Sequence, residues 1–398
     1  MGVYSDVIDS SVLSHLKVGK VDTTNSVFKL FANLSPAVFW IASALVIASS
    51  YIGEPIKCMT NKPIAETVCW LHGTYHIDES ISTEVYGSTC KRSYETHEKD
   101  LDIEEKESDT PYYQWVPFML IIHGLIFLIS GKIWSSLENG LLEQFGTRKE
   151  ISRLIEEKEL DKVATENAKR FRALSRNLNN RRFMCFIFCE LLNIIALVFN
   201  YCLIDIFLGG RFKSYGSDVV NYSMQNDRTA ENPMCSAFPT LTACKFKSGG
   251  INGLVDLETS LCVLSQNIIN QKIYLFLWFW MILLMVAAGI CTIYRVTQII
   301  LPKLRKETIV ALINTKRRRS EFVDKDNAIR RNWSELNRIG NWFLLCQIGR
   351  NSNPYYFRKF LESVNENDRR TRQDNYSDAG IEKRNSDVEE GVVKVPLV

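Results

Sequence analysis

The sequence of 398 residues has few of the patterns that mark enzymes, metalloproteins or nucleic-acid-binding proteins. It contains only five histidines, no Gly-rich phosphate-binding loop and no His-Glu-x-x-His motif. We therefore predict no enzymatic activity, no bound metal ion and no cofactor. The 48 basic and 45 acidic residues leave a net charge of +3, too little for a global field that attracts nucleic acid. Ten prolines and twenty glycines exclude collagen-like and wholly low-complexity chains.

The first residues of the sequence do not predict a cleavable signal peptide. Such a peptide places its apolar core near the N-terminus, whereas 33 mostly polar residues precede Leu34 here. No small-residue cleavage site follows the first apolar stretch at a short distance. We expect this stretch to stay attached as a membrane anchor.

Long apolar runs are the main feature that is present. Four stretches are almost free of charge, and each matches the ~20 apolar residues that a helix needs to cross a bilayer core. They cover residues 30–53, 110–131, 183–207 and 273–294. They predict an all-α membrane protein with transmembrane helices at 34–52, 112–134, 183–207 and 273–294.

Lysine and arginine residues next to the spans set the predicted orientation. The basic residues that cluster on one side are Lys132, Arg181, Arg182, Arg295, Lys303, Arg305 and Lys306. Both termini and the middle loop are therefore expected in the cytoplasm, and the protein in the plasma membrane. The cytoplasmic parts are then the N-terminal segment 1–33, the loop 135–182 and the region 295–364, whose helices form a dome, and a disordered tail 365–398. The extracellular loops are 53–111 and 208–272.

Cysteine placement supports this orientation. The first outer loop contains Cys58, Cys69 and Cys90, and the second contains Cys235, Cys244 and Cys262. An oxidising compartment lets such cysteines pair, whereas the cytosol keeps them reduced. The other five of the eleven cysteines lie in the spans or the C-terminal tail, where they fit small buried apolar residues.

Three polar residues share one side of the third span. Glu190, Asn193 and Asn200 fall within about 80° of one another at 100° per residue. Polar groups are costly in lipid, so these side chains are expected to face protein or water. Two interpretations follow, a seam of hydrogen bonds between helices or one wall of a water-lined path. A single four-helix bundle is too narrow for a wide path, so transport of polar solutes would need several copies.

Several short motifs border the predicted spans. They are Tyr51-Ile52-Gly53-Glu54-Pro55-Ile56 with Cys58, Tyr112-Tyr113-Gln114-Trp115-Val116, Tyr215-Gly216-Ser217-Asp218-Val219, Leu261-Cys262-Val263-Leu264, Leu275-Phe276-Leu277-Trp278-Phe279-Trp280, and Asn341-Trp342-Phe343-Leu344-Leu345 followed by Gln347-Ile348-Gly349. Over roughly residues 20–362, the chain resembles the innexin family, the gap-junction proteins of invertebrates, and looks closest to insect members.

The resemblance implies two disulfide-bridged extracellular loops with some β structure. It implies that Cys58 pairs with Cys262 and that Cys69 pairs with Cys244. The family pattern has two cysteines in each outer loop, so Cys90 and Cys235 are additions in this chain. A third bridge between these two is one hypothesis, motivated by their even count and matched location. Two unpaired or separately modified thiols are the alternative.

The same resemblance implies that eight subunits surround a pore into which the N-terminal segment folds. Residues 2–20 have little net charge and carry apolar side chains, among them Val3, Val7, Val12 and Leu16. This pattern suits a short amphipathic helix that lines or plugs a pore. A disordered cytosolic tip is the alternative.

Two further features concern the outer loops. The first loop is acidic, with 13 acids against 6 bases, and its densest run includes Glu104, Glu105 and Glu107. This run is either a solvated flank or, repeated around a channel entrance, a source of cation attraction. In the second loop, Asn221-Tyr222-Ser223 is an N-glycosylation sequence on the predicted outer side.

These features predict a large-pore channel subunit that forms hemichannels and intercellular gap junctions for ions and small molecules. Its expected partners are further copies in an octamer or other innexins, a docked hemichannel of the adjacent cell and membrane lipid, but no nucleic acid. The alternative is a tetraspan adhesion or receptor-like protein whose loops bind a partner without conduction.

Overall fold

In the computed structural model, the described residues are 21–62, 64–74, 111–145, 157–174, 176–225, 232–249, 255–314, 338–353 and 355–364. The chain divides into two compact units. The first, here called the span unit, comprises residues 26–133 and 189–291. The second, here called the tail unit, comprises residues 1–25, 134–188 and 292–398.

Four helices are long and apolar enough to cross a membrane. They are α1 at Ser26–Ile52, α3 at Val116–Glu138, α6 at Arg176–Phe207 and α9 at Ser265–Ile300. The prediction of an all-α membrane fold with four such helices is confirmed. At 1.5 Å per residue α9 is roughly 54 Å long, well beyond a bilayer core of about 30 Å. Its first turns therefore precede the predicted span at 273–294.

Helix α1 contains a π-helical turn at Leu30–Leu34. Both the backbone N–H and the hydroxyl of Ser35 donate to the carbonyl of Leu30, five residues earlier. The next residue, Pro36, has no N–H, and its ring would clash with the carbonyl four residues before it in a regular α-helix. The wider turn accommodates Pro36 without ending the helix.

The shorter helices lie between and after the spans. They are α2 at Ile64–His72, α4 at Leu141–Phe145, α5 at Glu157–Ala173, α7 at Phe212–Met224, α8 at Pro233–Ala237, α10 at Pro302–Asn314, α11 at Ile339–Asn351 and α12 at residues 355–364. Local sequence explains the start of α8, because the Asn232 side chain accepts a hydrogen bond from the Met234 N–H and Pro233 occupies the first turn.

A small antiparallel sheet joins the two predicted outer loops. Its strands are β1 at Lys57–Cys58, β2 at Leu241–Gly249 and β3 at Val255–Val263, in the order β1-β3-β2. The register places Cys58 opposite Cys262 and Cys244 opposite Ser260. At the end of β3 near α9, Ser260 and Cys262 are buried, whereas the opposite end of the strand is exposed.

Aromatic side chains fill the core of the span unit. Phe39 of α1 packs against Phe127 of α3, with ring centroids 5.7 Å apart. Closer to the sheet, Phe238 packs against Tyr274 of α9 at 5.1 Å. All four rings are fully buried, which supplies the apolar burial that stabilises this unit.

The tail unit has an aromatic core of its own. Trp134 contacts Phe186, and Phe186 contacts Phe343 of α11, with centroid distances of 4.8 and 4.9 Å. A second cluster joins Phe171 of α5 to Phe360 of α12 at 5.8 Å. The helical character expected for the middle loop and the C-terminal region is confirmed for the described residues.

Candidate functional site

Two disulfides tie the first predicted outer loop to the second. Cys58 of β1 is bonded to Cys262 of β3, and Cys69 of α2 is bonded to Cys244 of β2. This is the pairing that the family resemblance implies. All four cysteines are buried, so the sulfur atoms form part of a packed core.

The side chains around the bridges explain why the loop folds onto the sheet. Helix α2 turns Ala65 and Cys69 inward, and both are fully buried. Trp70 packs against Tyr113 with ring centroids 4.9 Å apart. This apolar cluster, the bridge core, holds the two disulfides in a dry environment.

The bridge core also brings the Sγ atoms of Cys58, Cys69 and Cys262 within 4.8 Å of one another. Three thiolates at this spacing could hold a metal ion. Each of these sulfurs is bonded to another sulfur, and only the thiolate is a good metal ligand. The cluster therefore acts as a covalent staple.

The remaining cysteines differ in chemistry. Cys235 is also disulfide-bonded, whereas Cys90 lies outside the described residues. Among the described residues, the free thiols are Cys185, Cys189, Cys202, Cys291 and Cys346. Burial raises the pKa of the Cys346 thiol to about 12, so this residue stays protonated and unreactive.

A group of amide side chains holds the start of α9. Gln266 accepts hydrogen bonds from the hydroxyls of Ser49 and Ser50 near the end of α1, at 2.9 and 3.0 Å. Gln271 donates to the carbonyls of Met234 and Phe238. The sequence motifs described above do not include this group. The amide-rich run Gln266-Asn267-Ile268-Ile269-Asn270-Gln271, directly before an aromatic stretch, was the signal that could have found it.

An ion pair connects the residues before α2 to the hairpin. Lys62 donates to Glu258 of β3, and Ser248 of β2 donates to the same carboxylate at 2.7 Å. The hydrogen bond from Lys62 and that from Ser248 lower the pKa of Glu258 below its ordinary value. The carboxylate thus stays charged well into the acidic range.

The polar residues of the third span point to neighbouring helices within the span unit. Asn193 accepts a hydrogen bond from Ser130 of α3, and Asn200 Oδ1 lies 2.7 Å from His123 Nδ1. Because Oδ1 can only accept, Nδ1 carries the proton. These four side chains are buried. Glu190 lies 4.0 Å from the thiol of Cys291 on α9.

The outward faces of the spans are apolar. In the most apolar 18 residues of each span, between 28% and 44% are buried inside the chain, so more than half are partly or fully accessible to lipid or other subunits. The exposed side chains include Ile41 and Leu45 of α1, Phe188 and Ile195 of α6, and Leu283 of α9. Polar side chains inside and apolar side chains outside suit a bundle surrounded by lipid or by similar bundles.

Asn221 is exposed at the C-terminal end of α7, one turn before Gln225. The other predicted site residues lie outside the described residues. They are Val3, Val7, Val12 and Leu16 of the N-terminal segment, and Glu104, Glu105 and Glu107 of the acidic run.

Comparison with known proteins assigns the family. The family model described as Innexin matches residues 24–367. Innexin inx2 of Drosophila melanogaster is 30% identical over 361 residues, 89% of this chain and 94% of the relative. Innexin inx3 of the same species is 32% identical over 350 residues, which cover 85% of this chain and 83% of the relative. Innexin shaking-B of Drosophila melanogaster is 29% identical over 360 residues, which cover 88% of this chain and 91% of the relative. With its four apolar helices, this multi-pass membrane chain belongs to the innexin family, a family of gap-junction channel proteins and not of enzymes.

Proposed function

We propose that this chain is a subunit of a large-pore channel that forms hemichannels and intercellular gap junctions for ions and small molecules. The observation that carries the proposal is the distribution of polarity in the span unit. The polar residues Ser130, Asn193 and Asn200 are buried within the bundle, and the outward faces are apolar. A wide aqueous path therefore needs several bundles arranged around it.

The proposed assembly is a homo-octamer, or a hetero-oligomer with other innexins. More than half of the most apolar residues of each span are not buried inside the chain, so surface is available for neighbouring subunits. The number eight rests on the family resemblance alone. In this assembly the buried polar residues form an interhelical hydrogen-bond seam inside each subunit, in preference to a water-lined wall.

The proposed location is the plasma membrane, with both termini in the cytoplasm. The bridges between residues 53–111 and residues 208–272 support this orientation, because disulfides persist in an oxidising compartment. Linking the loops before contact restricts their ensemble, so less ordering entropy is lost when two channels dock. The bridge core thus presents a preorganised face to the adjacent cell.

The N-terminal segment is proposed to enter the pore through Val3, Val7, Val12 and Leu16. Deletion of residues 2–16 should change conductance or gating at normal surface expression. Unchanged currents would contradict the pore role.

A third bridge between Cys90 and Cys235 is proposed for this chain. Cys235 is a half-cystine, and every other cysteine among the described residues is either a free thiol or part of the two bridges above. Non-reducing peptide mapping should recover a peptide pair that contains both residues. Recovery of Cys90 as a free thiol would contradict this bridge.

Two surface features of the outer loops complete the proposal. Asn221 is exposed and accepts an N-linked glycan, which near a docking face would block pairing and leave a hemichannel. Glu104, Glu105 and Glu107 concentrate cations at the channel entrance. Their joint change to glutamine should lower cation preference, and an unchanged preference would contradict this role.

Tracer dye and current in single cells and in apposed pairs test the function as a whole. Current in single cells together with coupling in pairs supports a gap junction, and current in single cells alone supports a hemichannel. Surface protein with neither activity contradicts the proposal and favours adhesion. The pair Cys69→Ser and Cys244→Ser should abolish coupling, whereas Cys202→Ser, which removes a free thiol, should retain it.

A further inference from the structure

Two amide side chains of α11 form hydrogen bonds with the backbone that leads into the first span, and we call this set of hydrogen bonds the grip. Asn351 Oδ1 accepts a hydrogen bond from the Asp22 N–H at 2.7 Å, and Asn351 Nδ2 donates to the Asp22 carbonyl at 2.7 Å. Gln347 Nε2 donates to the carbonyl of Thr23 at 2.9 Å. We call residues 22–25 the N-terminal root, because they follow residues 1–20 and precede α1.

This grip is specific because it pairs planar amides with peptide groups. Asn351 matches both the donor and the acceptor of one peptide residue, as a neighbouring β-strand would. A third contact comes from α3, where Trp134 Nε1 donates to the Thr23 hydroxyl at 3.2 Å. Gln347 is only 6% exposed, so its hydrogen bond is largely protected from water.

Helix α11 is itself held firmly within the tail unit. Gly340 donates its N–H to Asn180 Oδ1 at 3.2 Å, and a Cβ at this position would lie 2.5 Å from the backbone of Asn179. Trp342 Nε1 donates to the Arg305 carbonyl of α10 at 3.0 Å. Side chains from Trp342 to Ile348 are buried. A shift of α11 would therefore move the N-terminal root with it.

We propose that Gln347 and Asn351 are positioning residues for the N-terminal segment, and that α11 thereby sets how readily the channel opens. The inference rests on the proposed pore role of residues 1–20. Gln347 and Asn351 would hold the N-terminal root, to which this segment is attached. Only neutral amides, peptide groups, an indole and a hydroxyl make these contacts.

Electrophysiology of single cells tests the consequence for gating. Loss of one hydrogen bond that exists in only one of two states shifts their equilibrium by about fivefold. Asn351→Ala, alone or with Gln347→Ala, is expected to change the open-state equilibrium by about fivefold or more, at matched surface expression. The matched control is Asn341→Ala on the same helix, which removes the acceptor of the hydrogen bond from the Asn179 side chain. An equal effect of Asn341→Ala would mean that α11 stability alone is responsible and would overturn the proposal.

A mutant cycle with the truncated chain tests the route of the effect. If α11 acts through the N-terminal segment, Asn351→Ala should lose its effect in a chain that lacks residues 2–16. An equal effect in the full and truncated chains would overturn the proposal.

A second readout separates this inference from the pore role. A cysteine at position 12, introduced as Val12→Cys, is labelled with a membrane-impermeant maleimide from the cytosolic side. Asn351→Ala should change the labelling rate by about fivefold, and an unchanged rate overturns the grip. If truncation leaves currents unaltered while Asn351→Ala changes labelling, the pore role fails and the positioning contact stands.

Discussion

At the scale of single residues, one glycine decides how α7 packs on α9. A Cβ at Gly216 would lie 2.1 Å from the ring of Trp278, far inside van der Waals contact. The Trp278 indole also donates to the carbonyl of Lys213, so the ring has little freedom to move away. Gly216 belongs to one of the motifs on which the resemblance to innexins rests, and this close approach gives it a physical role.

Gly216→Ala is therefore expected to lower the free energy of unfolding by about 1–3 kcal/mol through overpacking. Thermal unfolding of the detergent-solubilised protein measures the change. Gly289→Ala is the matched control, because a Cβ there meets nothing within 4 Å and alanine favours helix. Equal melting temperatures for the two variants would contradict the packing argument.

The pair His123 and Asn200 provides a second test at this scale. Replacing Asn200 by leucine leaves the Nδ1–H of His123 without its acceptor in a buried site. A cost of about 0.6–1.7 kcal/mol is expected for the single change. Adding His123→Leu should recover much of it, because both polar groups are then removed together. Additive losses in this cycle of unfolding measurements would indicate that the two side chains do not interact.

At the scale of elements, the hairpin of β2 and β3 connects the parts of the outer loops. The bridges join it to β1 and α2, and the Lys62–Glu258 pair joins it to the residues before α2. The amides Gln266 and Gln271 then bind the start of α9 to the neighbouring segments. The bridge core is small, so disulfides and polar contacts together hold these segments in place.

The Lys62–Glu258 pair predicts a pH dependence of this region. The folded-state pKa of Glu258 is below its ordinary value of 4.5, so the stabilisation is fully present above pH 4.5 and is lost as the pH falls through the folded-state value. Glu258→Gln should lower the melting temperature near pH 7, and the difference from the unmodified chain should shrink as the pH falls through the folded-state pKa of Glu258. The matched control is Glu54→Gln, which removes one partner of the exposed pair Lys57–Glu54. A constant offset of Glu258→Gln at all pH values would contradict the role of this carboxylate.

At the scale of the whole molecule, the isolated chain exposes much apolar surface. At the end of α1, for example, the large side chains of Tyr51 and Ile52 are 87% and 89% exposed. Contiguous exposed apolar surface marks contact with lipid or protein. A subunit of this kind is suited to assembly within a bilayer.

Native mass spectrometry of the purified protein in mild detergent measures the assembly. The expected mass is about eight times the 45.8 kDa of one chain. Dissociation by a harsher detergent to single chains serves as the control. A single-chain mass under mild conditions would contradict the proposed oligomer, and a different multiple would correct its size.

Local composition predicted a large share of this fold. Runs of apolar residues identified the four helices, because the transfer of a segment into lipid depends on its own side chains. Cysteine counts identified the bridged loops, but six cysteines allow 15 pairings, and the pairing came from the family resemblance. The π-helical turn before Pro36 and the amides at the start of α9 were missed, because their partners depend on neighbouring turns and distant segments.

Partitioning into the membrane depends on contiguous stretches of the chain, so the sequence alone determined the four spans. The family motifs are also contiguous and could be recognised in the same way. Contacts between distant residues needed the packed structure. The register of β1 on β3 brings Cys58 to Cys262, 204 residues apart, and α11 brings Asn351 to Asp22, 329 residues apart. Such pairs form only when many side chains pack at once, so no local pattern encodes them.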